Sequence, residues 1–324
     1  CRANRYRMAP MPDYELSDAD ENVHHVWDNS LDPVLTVEPG EVVRFECRDA
    51  VDGQITREST AADMATVDFD PVHPLTGPVS VEGAEPGDVL AVDLLAFEHK
   101  GWGYTGFLPG EMGLGLLPKD FEEPGLHVWD LDDEVGHFVN GIEVPLDMFP
   151  GIVGVAPGEP GEHDTLPPRD VGGNMDVKHL TEGSTVYLPV EAEGALFSTG
   201  DCHAAQGDGE VCVTGIEAPM FVTARFDVRT DMTIEQPQLR TDHPFTPTGR
   251  DEPMYATTGI APDLMEATKK AVRHMIDHLE TERGLTRSEA YILCSAAVDL
   301  KISEVVDAPN WTVTAYVADS LFPE

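Results

Sequence analysis

Glycine and proline interrupt this chain so often that only its last quarter can hold a long helix. The 324 residues include 29 Gly and 26 Pro, and the short segments left between them are the kind from which β-rich folds are built. Strands are expected at Glu41 to Cys47 and at Met220 to Val228, where Met220, Val222, Ala224, Phe226 and Val228 alternate with Thr223, Arg225 and Asp227. Asp88 to Phe97 follows the turn pair Pro86-Gly87 and is apolar on both faces apart from Asp93, the pattern of a central strand covered on both sides. Further short strands are expected at Val186 to Val190, Ala195 to Thr199, Val211 to Glu217 and Trp311 to Val317.

In the last quarter, Leu264, Ala267, Ala271, Val272, Met275, Ile276 and Leu279 recur at helical spacing, with Lys269, Lys270, Arg273, Asp277 and His278 on the other face. Gly284 suits a left-handed C-terminal cap, and Thr286 with Glu289 forms a capping box for a second helix running toward Leu300. The fold class is therefore α+β, mainly β: a β-sandwich or barrel-like body of short strands with a C-terminal helical hairpin packed on it. Residues 13–235 are expected to form the body that carries the site. Residues 236–324 supply a Pro-rich linker (Gln236 to Pro253), the hairpin and a final strand.

Charge narrows the setting. With 60 acidic against 20 basic residues the net charge is −40, which opposes nucleic-acid binding and would strain a compact state in dilute buffer. Molar salt shortens the Debye length to ~3 Å and screens that repulsion, so a halophilic source is expected. The acidic runs, such as Asp130 to Glu134, are short and broken by apolar residues, unlike an interaction tail. The five cysteines, Cys1, Cys47, Cys202, Cys212 and Cys294, show neither a disulfide framework nor paired metal-ligand spacing. No stretch is long and apolar enough for a membrane span, and Cys1 to Pro12 lacks the apolar core of a secretion signal, so a cytoplasmic location without membrane partners is expected.

The segment richest in chemistry is Gly194 to Glu217, GALFSTGDCHAAQGDGEVCVTGIE. Turn residues Gly207-Asp208-Gly209 between two strand-like flanks suggest a hairpin with a loop at roughly Ala204 to Gly209, placing His203 and Glu210 across its neck. Asp201 and His203 are two apart, so an extended chain would project both from one face, and carboxylate with imidazole is a ligand pair for a divalent metal. The same residues would also serve an acidic protein as turn caps around a packed histidine.

The run from Gly200 to Cys212, GDCHAAQGDGEVC, is similar to the signature of the acetamidase/formamidase family. His73 to Pro78 (HPLTGP), Val81 to Asp88 (VEGAEPGD), Gly172 to Asp176 (GGNMD) and the stretch from Ala290-Tyr291 to Val306 resemble that family's segments in its order. The resemblance covers most of residues 30 to 320. It implies a β-rich, homo-oligomeric hydrolase of short aliphatic amides with a bound divalent metal.

On that resemblance Asp201 and His203 hold the metal, with Asp176 and Asp49 completing it from elsewhere in the fold. Glu210, acting beside His203, would take a proton from water and return it to departing ammonia. His73, Gln206 and Gly207 are expected to bind substrate. Zinc is the expected ion; manganese and iron suit the same donors, and calcium would serve as a second or structural ion. Gly172-Gly173 would let the backbone approach a ligand, and Asp49 sits where a strand ends.

Two rival readings remain open: a Cys202 nucleophile, and a noncatalytic metal-binding β module. Adjacent residues on a strand face opposite ways, which disfavours pairing Cys202 with His203, and the nearest lysine is Lys178. The glycine-rich run Gly110 to Gly115 lacks a full phosphate-binding pattern, so no nucleotide is expected. Aromatic residues around Phe138 to Phe149, and Trp27, fit a core better than a cofactor box, and His24, His25, His127 and His274 are read as structural or solvated.

Overall fold

The computed structural model describes residues 11–110, 113–241, 253–305 and 308–323. Glu111 and Met112 of the glycine-rich run, Cys1, and residues 242–252 of the expected linker lie outside them.

Two six-stranded sheets form the body. The first runs Tyr14–Leu16, Val42–Cys47, Met220–Arg229, Val89–His99, Thr185–Pro189 and Gln238–Arg240. Val89–His99, the doubly apolar segment, lies inside it between Met220–Arg229 and Thr185–Pro189, because a strand without a polar face must be covered on both sides. The other runs Gly172–Asn174, Phe149–Gly154, Phe197–His203, Leu75–Val81 and Val23–His24, with Leu35–Val37 beside Leu75–Val81.

These sheets pack face to face. Phe45 and Phe226 of the first meet Phe197 of the other, with ring centroids 5.7 and 5.0 Å apart. All three rings are fully buried, each worth roughly 1.5–3 kcal/mol relative to exposure. A four-stranded sheet, Glu143–Pro145, Val135–His137, Gly125–Leu131 and Trp102–Phe107, continues the body. The architecture is a sandwich of open sheets; none closes into a barrel.

The helical hairpin forms where periodicity places it. Helix Leu264–Arg283 buries Ala267, Ala271, Val272, Met275, Ile276 and Leu279 and ends at Gly284 in the left-handed conformation. Helix Arg287–Ala297 opens with the Thr286/Glu289 capping box, Glu289 N donating to Thr286 Oγ1 at 3.2 Å. It stops at Ala297, short of Leu300, because Asp299–Glu304 turns into a strand of the three-stranded sheet with Trp311–Ala318 and Met254–Ala261. Buried Lys178 pairs with Asp299 of that strand and, at 3.3 Å, with Asp208, tying the C-terminal part to the 204–210 loop. No described helix is long and apolar enough to cross a membrane.

Candidate active site

The passage after strand Phe197–His203 is not the hairpin with a Val211 to Glu217 strand that its composition suggests. Glu210 (φ 43°) and Val213 (φ 85°) adopt left-handed backbone that a regular ladder cannot hold. Only at Glu217 does residues 204–219 regain β pairing, opposite His203 on one side and Tyr104 on the other. Glu217 and Tyr104 exchange backbone hydrogen bonds of 2.8 and 2.9 Å. The His203–Glu217 pair is instead flanked by bonds from Ala204 N to Ile216 O and from Ala218 N to Cys202 O, the kind of pair whose side chains approach more closely. Directly opposed residues share a face, so His203, Glu217 and Tyr104 stand side by side where two sheets are stitched together.

His203 is the hub. Its Nε2 lies 3.1 Å from Glu217 Oε2, 3.6 Å from Asp201 Oδ1, 3.8 Å from Glu210 Oε1 and 4.0 Å from Asp176 Oδ1. Asp176, His203 and Glu210 form one group of potential ligands, and Asp201, His203 and Glu217 another. Asp201, His203 and Glu217 are buried, whereas the Asp176 and Glu210 side chains keep 20% and 17% exposure and mark the side open to solvent.

Neighbours fix this geometry. His203 Nδ1–H donates to Gln206 Oε1 at 2.7 Å, which turns Nε2 toward the carboxylates, and Gln206 Nε2 donates to Asp176 O at 3.0 Å. Gly215 N donates to Glu217 Oε1 at 2.8 Å, leaving Oε2 for His203. Gly151 keeps the space between the acids clear: a Cβ there would lie 2.6 Å from Asp176 Oδ1 and 3.0 Å from Asp201 Oδ2. Phe149 closes one side, its ring edge-on to His203 at 5.1 Å.

Burial and crowded like charges dominate the electrostatics. Burial, then Asp201, pushes Asp176 up to about 7. Burial likewise carries Glu217 up to about 8, against the pull of His203, and lifts Glu210 well above the carboxylate range with help from Asp176. For His203 burial works toward neutrality, but Glu217 and Asp201 outweigh it and hold the ring protonated. Burial also opposes ionisation of Asp201, yet His73 and His203 keep it below its ordinary value. Bare side chains can share this space only by taking up protons. Asp176 Oδ1, His203 Nε2 and Glu217 Oε2 are buried without a hydrogen-bond partner, an arrangement that carboxylate and imidazole ligands of a divalent metal fit.

The sequence profile described as the Acetamidase/Formamidase family matches residues 12–161 and 159–324. The chain belongs to that family. It is 30% identical to a formamidase of Methylophilus methylotrophus, over 94% of this chain and 90% of that protein, and 30% identical to an acetamidase of Mycolicibacterium smegmatis, over 94% and 92%. Among solved structures, a gamma lactamase from Delftia acidovorans superposes with a TM-score of 0.89 at 28% identity, covering 96% of this chain and 94% of that one.

Within this amidohydrolase the other expected site residues fall at different distances from the hub. His73 is buried with Nε2 3.9 Å from Asp201 Oδ2. Asp49 belongs to neither ligand group; its carboxylate accepts from Val51 N at 3.2 Å and Gly53 N at 2.9 Å, and burial raises it to about 6. Gly207 lies where the loop meets the second helix: its N donates to Ser295 O at 2.8 Å, and a Cβ would come within 2.2 Å of Val298 O. Gln206 has both ends of its amide engaged inside the protein.

Glu217, Tyr104 and Gly151 are not legible in the sequence as neighbours of this group. An acid between Ile216 and Ala218 is the single hint that Glu217 is buried for a purpose.

Proposed function

We propose that this amidohydrolase cleaves a short aliphatic amide, formamide or acetamide, to carboxylate and ammonia, using a divalent metal, zinc first among candidates, held by His203 with carboxylates drawn from Asp201, Asp176 and Glu217, with Glu210 beside them as the proton carrier. The observation that carries the reading is the convergence of those four acids within 4.0 Å of one imidazole nitrogen. When bound, such an ion polarises the amide carbonyl and makes water a competent nucleophile near neutral pH.

The side chains supply the rest. Gln206 fixes the His203 tautomer, and Gly215 orients Glu217. Glu210, on the open side and 3.8 Å from His203 Nε2, takes one proton from water as the new carbon–oxygen bond forms. It returns that proton to nitrogen as the carbon–nitrogen bond breaks, so ammonia leaves neutral. The bareness of Gly151 and the closeness of Phe149 favour a substrate of a few heavy atoms.

The Cys202 reading is poorly supported. Cys202 belongs to the main hydrophobic core, and a hydrogen bond with Cys47 together with burial pushes its thiol far from ionisation. Lys178 is engaged by Asp299 and Asp208. The net charge of −40 fits a cytoplasm rich in salt, and relatedness to this family fits a homo-oligomer.

The test is ammonia release from formamide and acetamide in molar potassium chloride, comparing untreated enzyme, chelated enzyme, chelated enzyme with zinc or manganese restored, and His203→Ala. Activity lost on chelation, regained with metal and absent from His203→Ala is expected. Turnover indifferent to chelator would refute the metal, and no ammonia from either amide would refute the substrate.

A further inference from the structure

One buried polar group beside the hub has no part in the scheme above. The Tyr104 hydroxyl is buried and lacks a hydrogen-bond partner. Its ring packs in a satellite cluster with Val51, Ile55 and Met64, so apolar contact accounts for the ring and not for the oxygen. A buried hydroxyl without a partner costs free energy that a phenylalanine would avoid.

The backbone sets its direction. Tyr104 is directly opposite Glu217, which is directly opposite His203, so the three side chains share one face. Burial above all, then the charges of Asp49, Glu217 and Asp201, keeps the phenol protonated and able to donate. The Val51 backbone beside it acts in the opposite sense, and none of those carboxylates accepts from it, which leaves its proton for a ligand.

We infer that Tyr104 is a catalytic hydrogen-bond donor to the carbonyl oxygen of the substrate, gripping it more tightly as the carbon becomes tetrahedral and the oxygen gains charge. This rests on the amide-hydrolase reading of the same site. A donor on the Glu217 flank and a proton carrier at Glu210 on the solvent side give the two ends of an amide different partners: oxygen toward Tyr104, nitrogen toward Glu210. Interactions that strengthen in the transition state raise kcat more than they lower KM.

The experiment compares wild type and Tyr104→Phe in molar salt for kcat, KM, bound metal and Tm. The expected result is kcat lower by roughly 100-fold, the cost of losing one oxyanion donor, with KM and metal content retained. Tm should hold or rise, since the deleted hydroxyl has no partner to lose. An active wild type with an equally active variant would overturn the inference alone. So would a variant that fails to fold, melts lower or loses its metal, because the hydroxyl would then be structural. An inactive wild type would overturn the amide reading and this inference together.

Discussion

His203 Nε2 and Glu217 Oε2 lie 3.1 Å apart because a single residue of an otherwise irregular passage regains β pairing opposite the end of a strand. Gly215 fixes one oxygen of Glu217, and the other has no hydrogen-bond partner among the described residues. Glu217→Gln preserves shape and removes the charge. It should weaken metal binding by at least about 100-fold, the upper end of what losing even an outer partner costs, and abolish ammonia release. Metal analysis of the purified variant showing full occupancy would remove Glu217 from the ligand set.

Gln206 acts through His203. Gln206→Leu deletes the acceptor for Nδ1–H and the donor to Asp176 O, so metal affinity should fall about 10- to 100-fold. Titration against a competing chelator measures this, and an unchanged Kd would mean that other contacts hold the imidazole.

Cys202→Ser separates metal-assisted hydrolysis from a thiol mechanism. The side chain belongs to the core, so the serine variant should keep kcat while losing about 1–3 kcal/mol of stability for its buried hydroxyl. Loss of turnover in a folded, metal-loaded variant would restore the nucleophile reading.

His24 provides a pH dependence away from the ligands. Its Nδ1 lies 2.7 Å from Val26 O and its Nε2 2.8 Å from Ser198 Oγ, and burial lowers its pKa from 6.5 to about 4. The unfolded chain therefore binds the proton more readily than the folded one. This contribution is complete above pH 6.5 and is lost as pH falls toward 4. Denaturant unfolding of wild type should lose stability across that window more steeply than His24→Gln; parallel curves would exclude the effect.

Salt should stabilise the fold. With a net charge of −40, shortening the Debye length from ~30 Å at 0.01 M to ~3 Å at 1 M relieves repulsion at almost every surface position. Tm should climb by several degrees between dilute buffer and molar potassium chloride, and a flat response would show that the acids are dispersed enough not to interact.

Local pattern determined much of this molecule. Alternation in Met220 to Val228, the doubly apolar run before Phe97, the helical spacing of Leu264 to Leu279 and the caps at Gly284 and Thr286 each encode a nearby contact, and each element forms. The motif around Asp201 and His203 likewise marked a place where acids gather on one imidazole, because those residues are neighbours in the chain. Tertiary structure decided the rest. Val211 to Glu217 has strand-like composition, yet left-handed residues and the packing of Gly207 against the second helix deny it a ladder. Glu217, Tyr104, Gly151 and Asp176 come from four separate segments, brought beside one another by strand pairing and by the loop that follows Gly172–Asn174. Sequence spacing reports which residues share a strand or helix face; which strands become neighbours, and so which acids crowd one imidazole, follows from packing the whole core.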